Sequence, residues 1–275
     1  MLKWKKNLKL FFLNLLVMLI LLFIFLPLLW LFLTSIKPAI IAFKIPPVWD
    51  FKPTFDNYIA VINNDFFRSY LNSLIVATGT TCLSLVLGIP GAYLLSRYQF
   101  KGKNAMGTWV ILIRMAPPVA FILPLYLWLR TLGLINSYLG LIITYLIITL
   151  PLCIWILRGF FESIPIEIEE SASIDGCSKG KILIGITIPL ALPGIITCAI
   201  LSFIMSWNEF LYALILSGTK TRTAPIMIQG FITFEGINWG QLAAAGVLVT
   251  LPAIIFTMIV RKGFIKGLMM GSVKA

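Results

Sequence analysis

The sequence predicts an all-α, polytopic membrane protein with six transmembrane helices, and its composition and apolar runs support this. Of its 275 residues, 60% are hydrophobic and 12% are charged, and the mean hydropathy is +1.00. In a soluble domain only about half of the residues are apolar. A helix needs roughly 20 apolar residues to cross the hydrocarbon core of a bilayer. Six runs meet this length, at residues 10–36, 70–95, 105–129, 138–158, 183–206 and 242–260.

The first apolar run follows four lysines, a pattern that signal peptides share. Its apolar stretch from Leu10 to Leu33 exceeds the roughly 7–15 residues of a signal-peptide core. No small-residue cleavage motif follows it. We therefore expect a first helix that is retained.

The basic residues predict the orientation, because Lys and Arg concentrate in short cytoplasmic loops. With the N-terminus inside, cytoplasmic segments carry fourteen of the 22 basic residues and outer segments carry seven. Both termini are thus predicted to be cytoplasmic. Residues 1–69 would form a tail, a helix and an outer segment, residues 70–262 the transmembrane core, and residues 263–275 a cytoplasmic tail.

Residue types disfavour several classes of function. The chain contains no histidine, which excludes His-based catalytic triads, His-ligated metals and imidazole bases. Its four cysteines form no C-x-x-C pair, so neither a disulfide framework nor a zinc or other metal site is expected. The net charge of +12 comes from basic residues that interrupt apolar runs, which favours contact with membrane lipid over nucleic acid. An intramembrane enzyme is therefore disfavoured.

Proline is frequent inside the predicted spans. Each proline removes a backbone donor and tends to kink a helix, and such breaks persist in membranes where neighbouring helices or a water-filled cavity satisfy the freed carbonyls. Pro117, Pro118 and Pro124 crowd one span. We expect bent helices around a pathway. The other prolines concerned are Pro27, Pro90, Pro151, Pro189, Pro193 and Pro252.

Half of the carboxylates lie in one short segment, since five of the ten Asp and Glu residues fall within residues 162–175. Pro165 suits the first turn of a helix, where a missing N–H is harmless, and the glutamates that follow favour the positive end of the helix dipole. Gly176 can supply the left-handed residue that ends the helix. The pattern predicts a short cytoplasmic helix at about residues 164–176. A well-capped connector with no further role remains an alternative.

The same segment resembles a motif of permease subunits of binding-protein-dependent ABC importers. Their cytoplasmic loop carries E-A-A-x-x-x-G, followed ten residues later by I-x-L-P. Ser171 and Ile188 depart conservatively from this pattern. The matching residues are Glu170-Ser171-Ala172, Gly176 and Ile186-Thr187-Ile188-Pro189.

Further stretches resemble the carbohydrate branch of these permeases, specifically the maltose-type, MalG-like subunits. Together they cover roughly residues 70–275 in order. They are Asn72-Ser73, the run 97–103, the run 114–118, Trp207-Asn208-Glu209-Phe210 and Gly271-Ser272-Val273-Lys274.

The resemblance implies the type I ABC importer permease fold and import of a sugar by alternating access. It also implies the partners, which are a second homologous permease, two ATPase subunits and an extracytoplasmic solute-binding protein. ATP and Mg would be used by the partner ATPase, and no cofactor is expected on this chain. The motif loop would be a coupling helix that docks in a groove of the ATPase. Its coupling residues would be Glu169, Glu170, Ser171, Ala172, Asp175, Gly176, Ile186 and Pro189.

Gly176 also begins the nearest approach to a phosphate-binding loop, at residues 176–181. This run is one residue too short, lacks Ser or Thr after the lysine, and follows a helix rather than a strand. ATP binding by this chain is not expected.

Several residues are candidates for the translocation pathway. Arg114 is an ionisable residue within a span, where an arginine costs about 2.5–3.5 kcal/mol on insertion scales, so it should face a cavity or a partner. A structural pairing or a snorkelling position is the equal alternative. Pro117 and Pro118 lie beside it, and Asn208 and Glu209 lie at the outer end of the fifth span. The last two could instead serve anchoring and packing.

The alternative function is a stand-alone channel or secondary transporter. Proton- or sodium-coupled carriers usually need intramembrane carboxylates, and these are scarce in the predicted spans. The transport-subunit hypothesis is therefore favoured.

Overall fold

The structure is a computed structural model that describes residues 2–233 and 236–271, and most of them are helical. A π-helical turn occupies Leu183–Thr187, a kink with non-helical backbone at Asn64 and Asp65 lies within Ile62–Phe66, and a 3-10 turn occupies Ala39–Ile41. Two short strands, β1 (Ile232–Thr233) and β2 (Gly236–Ile237), pair antiparallel. The α-helices are α1 (Leu2–Ser35), α2 (Asp56–Val61), α3 (Phe67–Arg97), α4 (Lys103–Met115), α5 (Pro118–Thr131), α6 (Tyr138–Ser163), α7 (Ile166–Ile174), α8 (Lys179–Ile182), α9 (Ile188–Leu190), α10 (Leu192–Trp207), α11 (Leu211–Leu216), α12 (Ala224–Gln229) and α13 (Trp239–Gly271).

The predicted fold class is confirmed, with one refinement in how the spans are built. Within the described residues, four helical stretches are long and apolar enough to cross a membrane. Two further spans are each a pair of helices bent at a short break, which gives up to six spans. The four stretches are Leu10–Ser35, Asp56–Arg97, Tyr138–Ser163 and Trp239–Met258, and the second of them is kinked at Asn64 and Asp65.

The sharper break separates α4 from α5, which meet at 97°. A residue before proline is pushed out of the helical region toward extended backbone. Two consecutive prolines therefore force two extended residues, Ala116 (ψ 136°) and Pro117 (ψ 129°). Pro118 then starts α5 at the position where a missing N–H does no harm.

The second break lies between the α8–α9 stretch and α10, which meet at 76° around Ala191. Pro189 and Pro193 flank this residue and remove two backbone donors within one turn. By contrast, each isolated proline lies inside a helix that continues through it. A single proline removes one hydrogen bond and leaves the rest of the turn intact. The continuous helices contain Pro27, Pro90, Pro124, Pro151 and Pro252.

The chain divides into two compact units. One comprises Met1–Phe67 with Ile228–Thr250, and the other comprises Arg68–Met227 with Leu251–Ala275. The predicted boundaries at residues 69 and 262 stay predictions. Of the predicted tail, residues 263–271 continue α13, and residues 272–275, with most of the Gly271–Lys274 stretch, lie outside the described residues.

In the first unit, an aromatic cage holds a buried lysine. Lys37 is 2% exposed, and its ammonium lies 5.1 Å from the ring centroid of Trp30, 5.8 Å from Trp49 and 5.3 Å from Phe51. Desolvated cation–π contacts of this kind are worth about 2 kcal/mol or more. The Asn57 amide also donates to the Lys37 carbonyl at 2.7 Å. The segment after α1 is thus fixed to the end of that helix.

In the second unit, α3, α6 and α10 enclose the core. Polar contacts join them, with Ser84 and Thr149 hydroxyls 2.6 Å apart and the Cys153 sulfur 3.1 Å from the Ser202 hydroxyl. One apolar cluster lies toward the C-terminal end of α3 and α6, and the other lies around α11. The first contains Ala92, Tyr93, Cys153, Leu157, Phe161, Ile164, Ala191 and Cys198, and the second contains Val76, Leu129, Leu141, Tyr145, Tyr212, Ala213 and Leu216.

Close packing of α6 against α10 depends on Gly194, because a methyl group there would overlap the Phe160 ring. We expect Gly194→Ala to lower the melting temperature of the purified protein, since overpacking typically costs about 1–3 kcal/mol. Gly185→Ala is the matched control, because nothing lies within 4 Å of its added methyl. Equal melting temperatures for the two variants would contradict this account of the α6–α10 contact.

Candidate functional site

The acidic segment forms the helix α7, as its sequence predicts. Pro165 takes the N-cap position with extended backbone, and Glu167 and Glu169 lie in the first turn, where carboxylates favour the helix dipole. The helix is nine residues long. It leads from α6 toward α8 and is well formed at both ends.

Gly176 ends α7 in a left-handed conformation with φ +82°. The Cys177 N–H donates to the Ala172 carbonyl at 3.0 Å, and the Gly176 N–H donates to the Ser173 carbonyl at 3.1 Å. These two bonds are those of a Schellman motif, which satisfies the last carbonyls of a helix. The turn is therefore fixed in shape, and a residue with a side chain would strain it.

A buried carboxylate fastens α7 to the helices around it. Glu169 is 6% exposed. Its Oε1 accepts from Arg97 Nε and from the Thr187 hydroxyl, each at 2.9 Å, and its Oε2 accepts from the Tyr93 hydroxyl at 2.9 Å. Arg97 also donates to the Ile164 carbonyl at 2.9 Å. We call Glu169 with Tyr93, Arg97 and Thr187 the Glu169 anchor.

The Glu169 anchor joins three stretches of chain that are far apart in sequence. Tyr93 and Arg97 belong to the last turns of α3, Glu169 to α7, and Thr187 to the π-helical turn before α9. The side chains of Arg97 and Glu169 are only 10% and 8% exposed. Removing one partner of a buried ion pair leaves an uncompensated charge and typically costs about 3–5 kcal/mol. α7 is therefore held firmly in place.

The structure separates the predicted coupling residues by the direction they face. Glu169 and Ala172 are buried beneath α7, three residues apart on one face. Glu170, Ser171 and Asp175 are exposed on the rest of the helix and its cap. Gly176 forms the turn, Ile186 is half-buried, and Pro189 is exposed at the start of α9. Their role in coupling stays a prediction.

Ile174 belongs to the exposed face of α7, although sequence reasoning did not select it. Its side chain is 87% exposed, next to the exposed Asp175. An apolar side chain at the tip of a short, charged helix is a contact that a protein partner could bury. The sequence signal that could have identified Ile174 is its apolar side chain between Ser171 and Gly176 of the motif.

The predicted pathway residues lie in two places. Arg114 is exposed in the last turn of α4, beside the break formed by Pro117 and Pro118. Asn208 is exposed after α10, and its amide donates to the Ile204 carbonyl at 2.9 Å. Within the described residues, the ion pairs are Arg97–Glu169 and Arg158–Glu162, so Arg114 has no carboxylate partner there.

Glu209 stabilises the start of α11. Its Oε1 accepts from the Tyr212 N–H at 2.8 Å. Burial raises the pKa of the Glu209 carboxyl above its ordinary value, and the backbone N–H groups of Tyr212 and Leu211 oppose this in part. Burial and the nearby Glu209 also raise the pKa of Tyr212, whose hydroxyl lies 3.4 Å from the Pro118 carbonyl. Glu209 is thus linked through Tyr212 to the α4–α5 break.

No group of three or more His, Cys, Asp or Glu side chains suited to a metal ion occurs in the described part of the chain. The polar side chains described above instead fix helices to one another or line concave surfaces between them. Apolar spans with proline breaks, and a short charged helix anchored at one end, are the features of a multi-pass membrane transport subunit.

The chain belongs to the family described as "Binding-protein-dependent transport system inner membrane component", which residues 84–269 match. It is therefore a multi-pass inner-membrane protein of this class, as the resemblance implied. The stand-alone channel or carrier is not supported by this membership.

Relatives and solved structures agree with this family. The chain is 38% identical over 254 residues to the trehalose transport system permease protein SugB of Mycobacterium tuberculosis, covering 90% of this chain and 92% of that protein. It is 33% identical over 256 residues to the trehalose/maltose transport system permease protein MalG of Thermococcus litoralis, covering 90% and 91%. A chain of a bacterial ABC transporter that imports the acidic polysaccharide alginate superposes with a TM-score of 0.76 at 26% identity, covering 90% and 94%.

The Glu169 anchor can be tested by local hydrogen exchange. We expect Glu169→Ala to speed amide exchange in residues 166–187 on the order of 100-fold, because about 3 kcal/mol of local stability is lost with the buried pair. Glu170→Ala is the matched control, since its side chain is exposed on the same helix. Hydrogen exchange read by mass spectrometry distinguishes them, and equal protection in both variants would show that the anchor does not hold α7.

Proposed function

We propose that this chain is one transmembrane subunit of an ABC importer for a sugar, and that α7 is its coupling helix. The observation that carries the proposal is the structure of α7. It is a short helix that ends in a fixed turn and is anchored by Glu169, and the exposed Ile174 lies at its C-terminal end. The family and the sugar-transport names of the relatives support the same reading. The solute would be a mono-, di- or oligosaccharide.

The exposed face of α7 suits a groove on an ATPase subunit. Ile174 offers apolar area, and Glu170 and Asp175 offer carboxylates to donors on that partner. A buried apolar contact surrounded by polar groups is the usual arrangement of a protein interface. The ATPase pair would bind ATP and Mg and hydrolyse the nucleotide, and this chain would perform no catalysis.

Because α7 is anchored, its movement on docking would be passed to the helices that it contacts. Since Glu169 bonds to α3 and to Thr187 ahead of α9, a displacement of α7 must move those helices with it. Closure of an ATPase dimer would then favour one of two arrangements of the permease, which is how binding at one site does work at another. A second homologous permease and an extracytoplasmic binding protein would complete the assembly, with both termini of this chain in the cytoplasm.

The turn at Gly176 gives a test of the coupling role. We expect Gly176→Pro to abolish association with the ATPase while membrane insertion is kept, because proline cannot adopt φ +82° and also removes the N–H bonded to Ser173. Gly180→Ala is the control in α8, the helix that follows this turn, with open space at the added methyl. Co-elution of the ATPase with Gly176→Pro at normal stoichiometry would show that the docking assignment is wrong.

Reconstitution tests the proposed function itself. We expect proteoliposomes that contain this chain, its partner permease, the ATPase pair and the binding protein to accumulate radiolabelled trehalose or maltose when ATP is supplied. Vesicles with the chain alone should accumulate neither sugar, because the energy source lies on another subunit. Vigorous accumulation by the chain alone would overturn the proposal.

A further inference from the structure

A long groove runs between α4 and α6. Its wider part has a volume of about 730 Å³, and a smaller concavity of about 260 Å³ adjoins it. Ile111 and Trp155 line both parts, so the two are continuous. We call this the α4–α6 groove. The polar and aromatic side chains that line it include Asn104, Thr108, Arg114, Trp155, Arg158 and Glu162.

The groove reaches from the middle of α6 to its end. Pro151 lies near the centre of α6 and lines the smaller part, and Ser163 ends the helix and lines the wider part. Twelve residues of helix rise about 18 Å, which is long enough for a disaccharide or a short oligosaccharide. The wider part alone has the size of a typical small-molecule site, roughly 300–1,000 Å³.

The polar side chains indicate that the groove is not covered by lipid tails. Arg114 lies beside Pro151 at the depth of mid-helix, and an arginine at that depth should face water or a polar partner. Arg158 and Glu162 add an ion pair of 2.7 Å whose side chains are 30% and 46% exposed. A wet groove on the surface of a transport subunit is a place where a polar solute can bind.

The groups in the groove match the chemistry of a neutral sugar. Trp155 is 58% exposed and offers an indole face, on which the apolar C–H face of a pyranose ring can pack. The Arg158 guanidinium donates hydrogen bonds and the Glu162 carboxylate accepts them, and the hydroxyls of a sugar can do both. In the described part of the chain, the Asn104 side chain has no hydrogen-bond partner and is free to serve a ligand.

The position of Arg158 depends on a glycine in the facing helix. A methyl at Gly107 would lie 2.7 Å from Arg158 Nη1, so the guanidinium rests directly over this residue of α4. The pair with Glu162 neutralises this part of the groove. An uncharged polyol is therefore a better match to the wider part than a phosphate headgroup.

We propose that the α4–α6 groove is a carbohydrate subsite of the translocation pathway, with Trp155 as its stacking platform and Arg158, Glu162 and Asn104 as its hydrogen-bonding groups. This inference rests on the proposed function and adds to it that this subunit touches the sugar directly. The ligand class is a neutral di- or oligosaccharide.

The test compares two exposed tryptophans. Trp109 is 67% exposed on α4 but does not line the groove. In the full importer in proteoliposomes, with radiolabelled trehalose and maltose as probes, we expect Trp155→Leu to lower kcat/KM for uptake about tenfold. Trp155→Phe should restore most of it, and Trp109→Leu should match wild type. Subunit stoichiometry should be unchanged in all three variants, which would show that assembly is intact.

The outcomes separate the two proposals. A wild-type importer that accumulates neither sugar overturns the proposed function and the subsite with it. Wild-type accumulation with unchanged kinetics in Trp155→Leu overturns the subsite alone, and so does a loss that Trp155→Phe does not reverse. An anionic phospholipid that native mass spectrometry finds lost from Trp155→Leu and kept in Trp109→Leu, with uptake unchanged, would make the groove a lipid site instead.

Discussion

The carboxylate of Glu169 is a buried charge, and a buried charge must be paired and hydrogen-bonded or it destabilises the fold. Its two oxygens receive three donors from Tyr93, Arg97 and Thr187. Because these donors come from α3 and from the turn before α9, satisfying one charge fixes three stretches of chain at a common point. The position of α7 follows from this requirement, since its own nine residues are too few to form a stable helix alone.

Proline sets the second constraint. Consecutive prolines end α4 and begin α5 at an angle of 97°, which leaves Arg114 in the last turn of α4 beside Pro151 of α6. The smaller part of the groove lies next to this break, since Arg114 and Met115 line it. The prolines that were expected to mark a pathway lie beside this part of the groove, and their role in a pathway stays a prediction.

Much of the fold was predictable, because span length and helix capping are local properties. Apolar runs located the six spans, and Pro165 and Gly176 bounded α7 within two residues of its cap. The inward direction of the Glu169 side chain was not predictable, because the sequence does not distinguish between neighbouring glutamates on a short helix. Only tertiary contacts show which of them is buried. Similarly, only tertiary contacts reveal the aromatic cage of Lys37 and the groove. Arg97 was recognised only as a basic residue of the run 97–103, and its pairing with Glu169 was not predicted.

The coupling helix and the groove share one element, which gives the two sites a physical connection. α6 carries Trp155 and Arg158 in the groove and then passes through Ile164 and Pro165 directly into α7. The Ile164 carbonyl is itself held by Arg97, which belongs to the Glu169 anchor. A displacement of α7 would therefore move the end of α6 directly, because the connection between the two helices is short and is held by this hydrogen bond. A shift of α6 relative to α4 would change the width of the groove. Movement of α7 would in this way alter the affinity for a sugar bound in the neighbouring groove.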